Sequence, residues 1–111
     1  MGKQQEGDLI PGTLDLLILK ALGSGSLHGY AIAEWIHHRS HDLLRVDEGA
    51  LYPALHRLEL RGLLTADWGA SDNNRRAKFY KVTSAGQRHF EAETERWARL
   101  SAAVGFVLAS S

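Results

Sequence analysis

Phe90, Thr94, Trp97, Ser101, Val104 and Leu108 follow one another at spacings of 4, 3, 4, 3 and 4 residues, with Leu100, Ala103 and Val107 beside them. That rhythm is the seam of a helix that packs along its length. Continued over roughly 24 residues at ~1.5 Å per residue, the helix would extend ~36 Å, more than a small three-helix core can cover. The fold before it must leave the seam a second surface. A second copy of the chain is the expected cover; the alternative is a helix folded back on its own domain, whose overhang would expose an apolar patch.

The rest of the chain is short. A length of 111 residues, with 44% hydrophobic and 23% charged, is that of one ordinary globular domain. Cysteine is absent, so disulfides, thiolate metal sites and cysteine nucleophiles are excluded. The apolar run Leu16 to Leu19 falls far below the roughly 20 residues a bilayer requires, and the polar start Met1 to Asp8 does not read as a signal peptide. A cytoplasmic protein with no membrane partner is expected. Thirteen basic residues balance thirteen acidic ones, so only their distribution carries information. Arg75, Arg76, Lys78 and Lys81 lie in a stretch without acids from Asn73 to Lys81, and Glu91, Glu93 and Glu95 cluster later. A basic edge opposed to an acidic one is expected.

Leu14, Leu17, Ile18, Ala21 and Leu22 form the stripe of a first helix, stopped by Gly23-Ser-Gly-Ser26. A second helix is expected from Leu27 to His38, with Tyr30, Ala31, Ile32, Trp35 and Ile36 inward and Gly29 admitting another backbone. Leu43 to Val46 reads as an isolated strand. A third helix runs from Glu48 to Arg61 with Leu51, Leu55 and Leu58 on one face. Its start is expected near Gly49 or Ala50, which keeps Pro53 in the first turn, and Gly62 ends it. Two strands, Leu63 to Trp68 and Ala77 to Thr83, form a hairpin with a polar tip. Leu64, Ala66 and Trp68 share one face of the first strand, and Tyr80 and Val82 share one face of the second. The last helix begins near Ala85, capped by Ser84 or by Thr83.

That order predicts a mainly α fold with a small β-hairpin: a winged helix-turn-helix plus a long C-terminal dimerisation helix. Residues 1–8 would be a flexible tail, 9–83 the winged helix domain and 84–111 the dimerisation helix carrying the seam from Phe90 to Leu108. In such a fold the third helix enters the major groove of double-stranded DNA and the hairpin becomes a wing. Asn73, Asn74, Arg75, Arg76 and Lys78 then serve as phosphate or minor-groove donors. Arg57 and Arg61 are long enough for phosphates or guanine edges. Arg57 could instead pair with Glu59 or Asp67. The Tyr52 hydroxyl can reach a phosphate, or the ring can pack under the helix.

Pro11-Gly-Thr-Leu-Asp-Leu-Leu-Ile-Leu-Lys20, Leu27-His-Gly-Tyr30, Gly49-Ala-Leu-Tyr-Pro-Ala-Leu-His-Arg-Leu-Glu59 and Asn74-Arg-Arg-Ala-Lys-Phe-Tyr80 together resemble the PadR-like transcriptional regulators over nearly the whole chain. The short stretch after Thr83 resembles the subgroup with a single C-terminal helix. The resemblance implies a cytoplasmic homodimer on a palindromic operator, usually a repressor, often released by a small molecule. It places Tyr52 and Pro53 at the start of the recognition helix and His56 and Arg57 near DNA. Ala50 departs from the family's usual Ser or Thr, which removes a hydroxyl there. It also implies an apolar cavity at the dimer axis, where a small aromatic effector could stack on Trp97; the alternative is that Trp97 only fills the interface.

Other functions have weaker signals. His37 and His41 share a helix face at a spacing that can hold a metal, so a metal-responsive regulator is one alternative, but no third ligand is assured beyond Asp42. A winged helix used only for protein contacts is another, since one fold hosts many functions. No nucleophile, base and glycine-rich turn fall in a catalytic motif, so neither an enzyme nor a cofactor is expected.

Overall fold

The computed structural model describes residues 12–111; the expected tail over residues 1–8 and Pro11 of the first family motif lie outside them. Helix α1 spans Thr13–Ala21 and ends in a tight turn, Leu22–Ser24, before strand β1, Leu27–His28. Helices α2, Gly29–Arg39, and α3, Glu48–Leu60, follow, then strands β2, Leu64–Ala70, and β3, Arg76–Val82, and finally helix α4, Ser84–Ala109. The strands form one antiparallel sheet in the order β1-β3-β2. Ile18 and Leu22 from the first helix and turn, Ile32 and Ile36 from α2, and Leu51, Leu55 and Leu58 from α3 are buried together with Leu64 and Tyr80 of the sheet. This is a winged helix fold with a long C-terminal helix.

The extra strand is not Leu43 to Val46 but Leu27–His28, which pairs with Tyr80 and Phe79 of β3. The Ser40 hydroxyl donates to the His37 carbonyl at 3.0 Å and accepts from the Leu44 N–H at 2.9 Å. His41 and Asp42 stand at φ 57° and 65°. That left-handed pair turns the chain too sharply for a strand, and Leu44 and Val46 pack against the core from a loop. The second helix starts two residues later than expected because His28 is its cap: Nδ1 accepts from the Ala31 N–H at 3.3 Å.

Pro53 is a second correction. The Asp47 carboxylate accepts from the Ala50 N–H at 2.9 Å and caps α3, so the helix begins at Glu48 and the proline stands in the second turn. The carbonyl of Gly49 thereby loses its usual donor four residues on. At the other end, the Leu63 N–H reaches the Leu58 carbonyl and the Gly62 N–H the Glu59 carbonyl, both at 3.0 Å, with Gly62 at φ 76°. This double closure stops the helix and aims the chain into β2.

Thr83, not Ser84, caps α4. Its hydroxyl accepts from the Gly86 N–H at 3.0 Å and donates to the Gly62 carbonyl at 2.7 Å, which fastens the last helix to the end of α3. Gly86 lies against the Leu63 carbonyl. Phe90 packs on the core, and from Thr94 onward every residue of α4 is exposed. At 26 residues the helix is ~39 Å long.

Candidate nucleic-acid interface

Leu51, Ala54, Leu55 and Leu58 point from α3 into the core. At about 3.6 residues per turn, the opposite ridge consists of Gly49, Pro53, His56 and Leu60, all exposed. Tyr52 and Glu59 lie on the flank toward the hairpin, and Ala50, Arg57 and Arg61 on the flank toward α1. The hairpin places Trp68 opposite Lys78 and Ala66 opposite Tyr80, so Trp68, Arg76, Lys78 and Tyr80 share the face that looks across at α2 and α3.

Between that face and the two helices runs an open cleft of about 1040 Å³. It is lined by Tyr30 and Trp35 of α2, Tyr52 of α3, Trp68 of β2, and Arg75 and Arg76 of the hairpin, with Asn73 and Lys78 beside them. The structure therefore brings Tyr52, Asn73, Arg75, Arg76 and Lys78 together around one space. Asn74, at φ 62°, lines a shallower hollow on the other flank of the hairpin, against Trp68 and Arg76. Ser71 organises the tip: its N–H donates to the Arg75 carbonyl at 2.7 Å, and its carbonyl accepts from the Asn74 N–H at 2.8 Å.

The cations are not equivalent. Lys78 Nζ lies 3.1 Å from Glu59 Oε1, and that hydrogen bond holds the ammonium above its ordinary pKa. Burial likewise raises the Tyr80 phenol beside it. Arg57 pairs with Asp15 of α1 at 3.2 Å, a partner neither Glu59 nor Asp67. Arg61 stands with Asp15, His89 and Glu93 around a cavity of about 180 Å³ between α1, α3 and α4, away from the cleft. Ion pairs among the described residues involve His37, His38, Arg57, Lys78, Arg96 and Arg99. Arg75 and Arg76 thus have no acidic partner there, and the Arg76 guanidinium stacks 4.7 Å above the Trp68 ring. A guanidinium held on an aromatic face keeps its outward N–H groups free for an anion.

Three residues of this surface depart from the sequence expectation. Tyr30 is 68% exposed rather than inward, because Ile32 and Ile36 fix the buried side of α2 and Tyr30 falls nearly opposite Ile32. Gly29 admits the ring of Tyr52 and not a backbone: a Cβ there would stand 2.7 Å from the Tyr52 hydroxyl. Tyr52 is therefore seated on the start of α2 with part of its ring in the cleft. Trp68 has no assigned role in the sequence, yet it is 60% exposed; its signal was the period-two face of β2, which outruns the core. At the end of α2, His37 Nδ1 lies 3.8 Å from Asp42. No cluster of three metal-ligating side chains occurs among the described residues, and no helix there is long and apolar enough to cross a membrane.

Along α4 the seam leaves the domain. Trp97 is 49% and Leu108 79% exposed, and Thr94, Ser101 and Val104 lie exposed between them. Leu100, Phe106 and Val107 add further exposed apolar surface, far more than an isolated small domain keeps in water.

Residues 18–92 match the sequence profile of the transcriptional regulator PadR-like family. A transcriptional regulator of Mycobacterium tuberculosis is 35% identical over 72 residues, covering 65% of this chain and 64% of that protein. Among solved structures, a PadR family transcription regulator from Clostridium difficile superimposes with a TM-score of 0.75 at 28% identity, over 88% of this chain and all of that one. A transcriptional regulator from Clostridium thermocellum gives a TM-score of 0.77 at 28% identity, over 85% and 91% of the two chains.

Proposed function

Because this chain belongs to the PadR-like family of transcriptional regulators, and not to a family of enzymes, we propose that it is a cytoplasmic homodimer that binds a palindromic operator in double-stranded DNA and represses transcription by occluding it. The observation that carries the reading is the cleft in which Tyr52 of α3 faces Arg75 and Arg76 of the wing, neither with an acidic partner among the described residues. Phosphates running between a helix in the major groove and a wing in the minor groove would occupy that space. The exposed seam of α4 supports pairing with a second copy, and two recognition helices entering successive major grooves would require half-sites about 34–36 Å apart. Asn73, Asn74 and Lys78 assist from the wing, Lys78 while held by Glu59. His56 and Pro53 face the groove, and Arg57 touches DNA only if it leaves Asp15. Arg61, beside His89 and Glu93, is the member of this set farthest from that role.

Replacing Arg75 and Arg76 together by alanine tests the wing. The double variant, which removes four arginines from each dimer, is expected to bind every duplex more weakly and to lower the slope of log K against log salt by about 3.6, while remaining dimeric by light scattering. An unchanged slope would contradict the assignment.

The effector class that fits the dimer is a small planar aromatic compound stacked on Trp97, half exposed on the face the second copy would cover. Such a ligand would act by favouring a dimer whose recognition helices no longer match the operator spacing. Titration with aromatic compounds should quench tryptophan fluorescence in the wild type; equal quenching in Trp97→Phe would refute the site.

A further inference from the structure

The ridge of α3 has an unexpected composition for a surface that meets DNA. Of Gly49, Pro53, His56 and Leu60, only His56 carries a hydrogen-bonding side chain, and Leu60 is 74% exposed. Ala50, next to Gly49, is also exposed and apolar. The nearest cation, Arg57, is engaged by Asp15 at 3.2 Å. None of the described residues covers this ridge, and its apolar members contribute nothing to the core. In the major groove an apolar side chain has one base-specific partner, the C5 methyl group of thymine.

Resting on the DNA-binding reading above, we infer that α3 selects A·T pairs through thymine methyl groups packed on Pro53 and Leu60, with the His56 imidazole reading the base edge between them. The spacing allows it. Pro53 to His56 is a rise of ~4.5 Å and His56 to Leu60 ~6 Å along the helix. A base-pair step is ~3.4 Å, so the two thymines flank the pair under His56 at about one step on one side and about two on the other. Gly49 and Ala50, without bulk, let the start of the helix approach the base edges. The flanking charges supply attraction and register but not this choice: Arg75 and Arg76 lie on the wing, toward phosphates.

The test uses the full chain and the duplex it enriches from a random pool. Each thymine is replaced in turn by deoxyuridine, which removes one methyl group and leaves the hydrogen-bonding edge intact. Two thymines per half-site are expected to lose about fourfold in affinity each, the value of one buried methyl-sized group. That loss should disappear at one thymine in Leu60→Ser and at the other in Pro53→Ala. Both positions are exposed, so neither variant disturbs the core. If every uracil duplex binds as tightly as its parent, or if the penalties persist unchanged in both variants, the inference is overturned while DNA binding stands. If no duplex is enriched, the DNA-binding reading falls and this inference with it.

Discussion

Val104→Glu combined with Leu108→Glu is expected to convert the protein to a monomer and to weaken operator binding by about 10² to 10⁴-fold. Both side chains are exposed on the last turns of α4, beyond the reach of the domain's own core, so the fold of residues 12–90 should be retained and the helical circular dichroism nearly unchanged. Two carboxylates on each helix would have to enter an apolar seam unpaired, which costs far more than such a seam supplies. A monomer then engages one half-site at a time, and the gain from linked sites, typically 10² to 10⁴, is lost. Sedimentation and a duplex titration on the same sample check both parts. A variant that stays dimeric would show that the seam is not the interface.

Gly86→Ala is expected to have the largest effect on stability. A Cβ at this position would overlap the Leu63 carbonyl and stand 2.9 Å from Val82 Cγ1. A backbone carbonyl cannot turn aside as a flexible side chain does, so α4 must shift outward. That shift pulls the Gly86 N–H from the Thr83 hydroxyl, 3.0 Å away, and loosens the Thr83 bond to Gly62. Overpacking and a lost cap together should destabilise the domain by about 3 kcal/mol, a fall in Tm of about 10 °C or more for a chain of this size. Thermal unfolding measures it, and an unchanged Tm would contradict the close seating of α4 on the α3–β2 turn.

Much of the architecture was legible where one local pattern dominates. The stripe from Leu14 to Leu22, the period-two hairpin and the long seam of α4 each bury or expose residues in a rhythm that survives without knowledge of the neighbours. Local capping chemistry was legible only in part. Asp47 precedes Ala50 by three residues, as a cap requires, but the proline at 53 argued for a later start; the cap prevailed, and the helix absorbed the loss of one hydrogen bond. The strand expected at Leu43 to Val46 failed because His41 and Asp42 adopt a left-handed turn that their residue types permit but do not announce.

The candidate site was harder to read because its decisive contacts join distant segments. Gly29 and Tyr52, Arg57 and Asp15, and Lys78 and Glu59 are pairs that no spacing in the chain links. Charge counting offered a salt-bridge alternative for Arg57 alone, and with the wrong partners, whereas among the described residues the fold pairs Arg57 and Lys78, sets Arg61 on the far side, and leaves Arg75 and Arg76 without an acidic partner. The aromatic walls of the cleft were missed for a related reason: Tyr30 and Trp68 look like core residues by type, and only the positions of Ile32 and Leu64 show which side of each element is full.

The most direct test of the central claim is enrichment of duplex DNA from a random pool by the purified chain, with affinity for the recovered sequence followed across salt concentration. A palindrome with half-site centres one helical turn apart, bound by two chains with log K falling by about 0.9 per phosphate neutralised, is the predicted result. Failure to enrich any sequence, even after the protein is unfolded and refolded free of bound ligand, would contradict it.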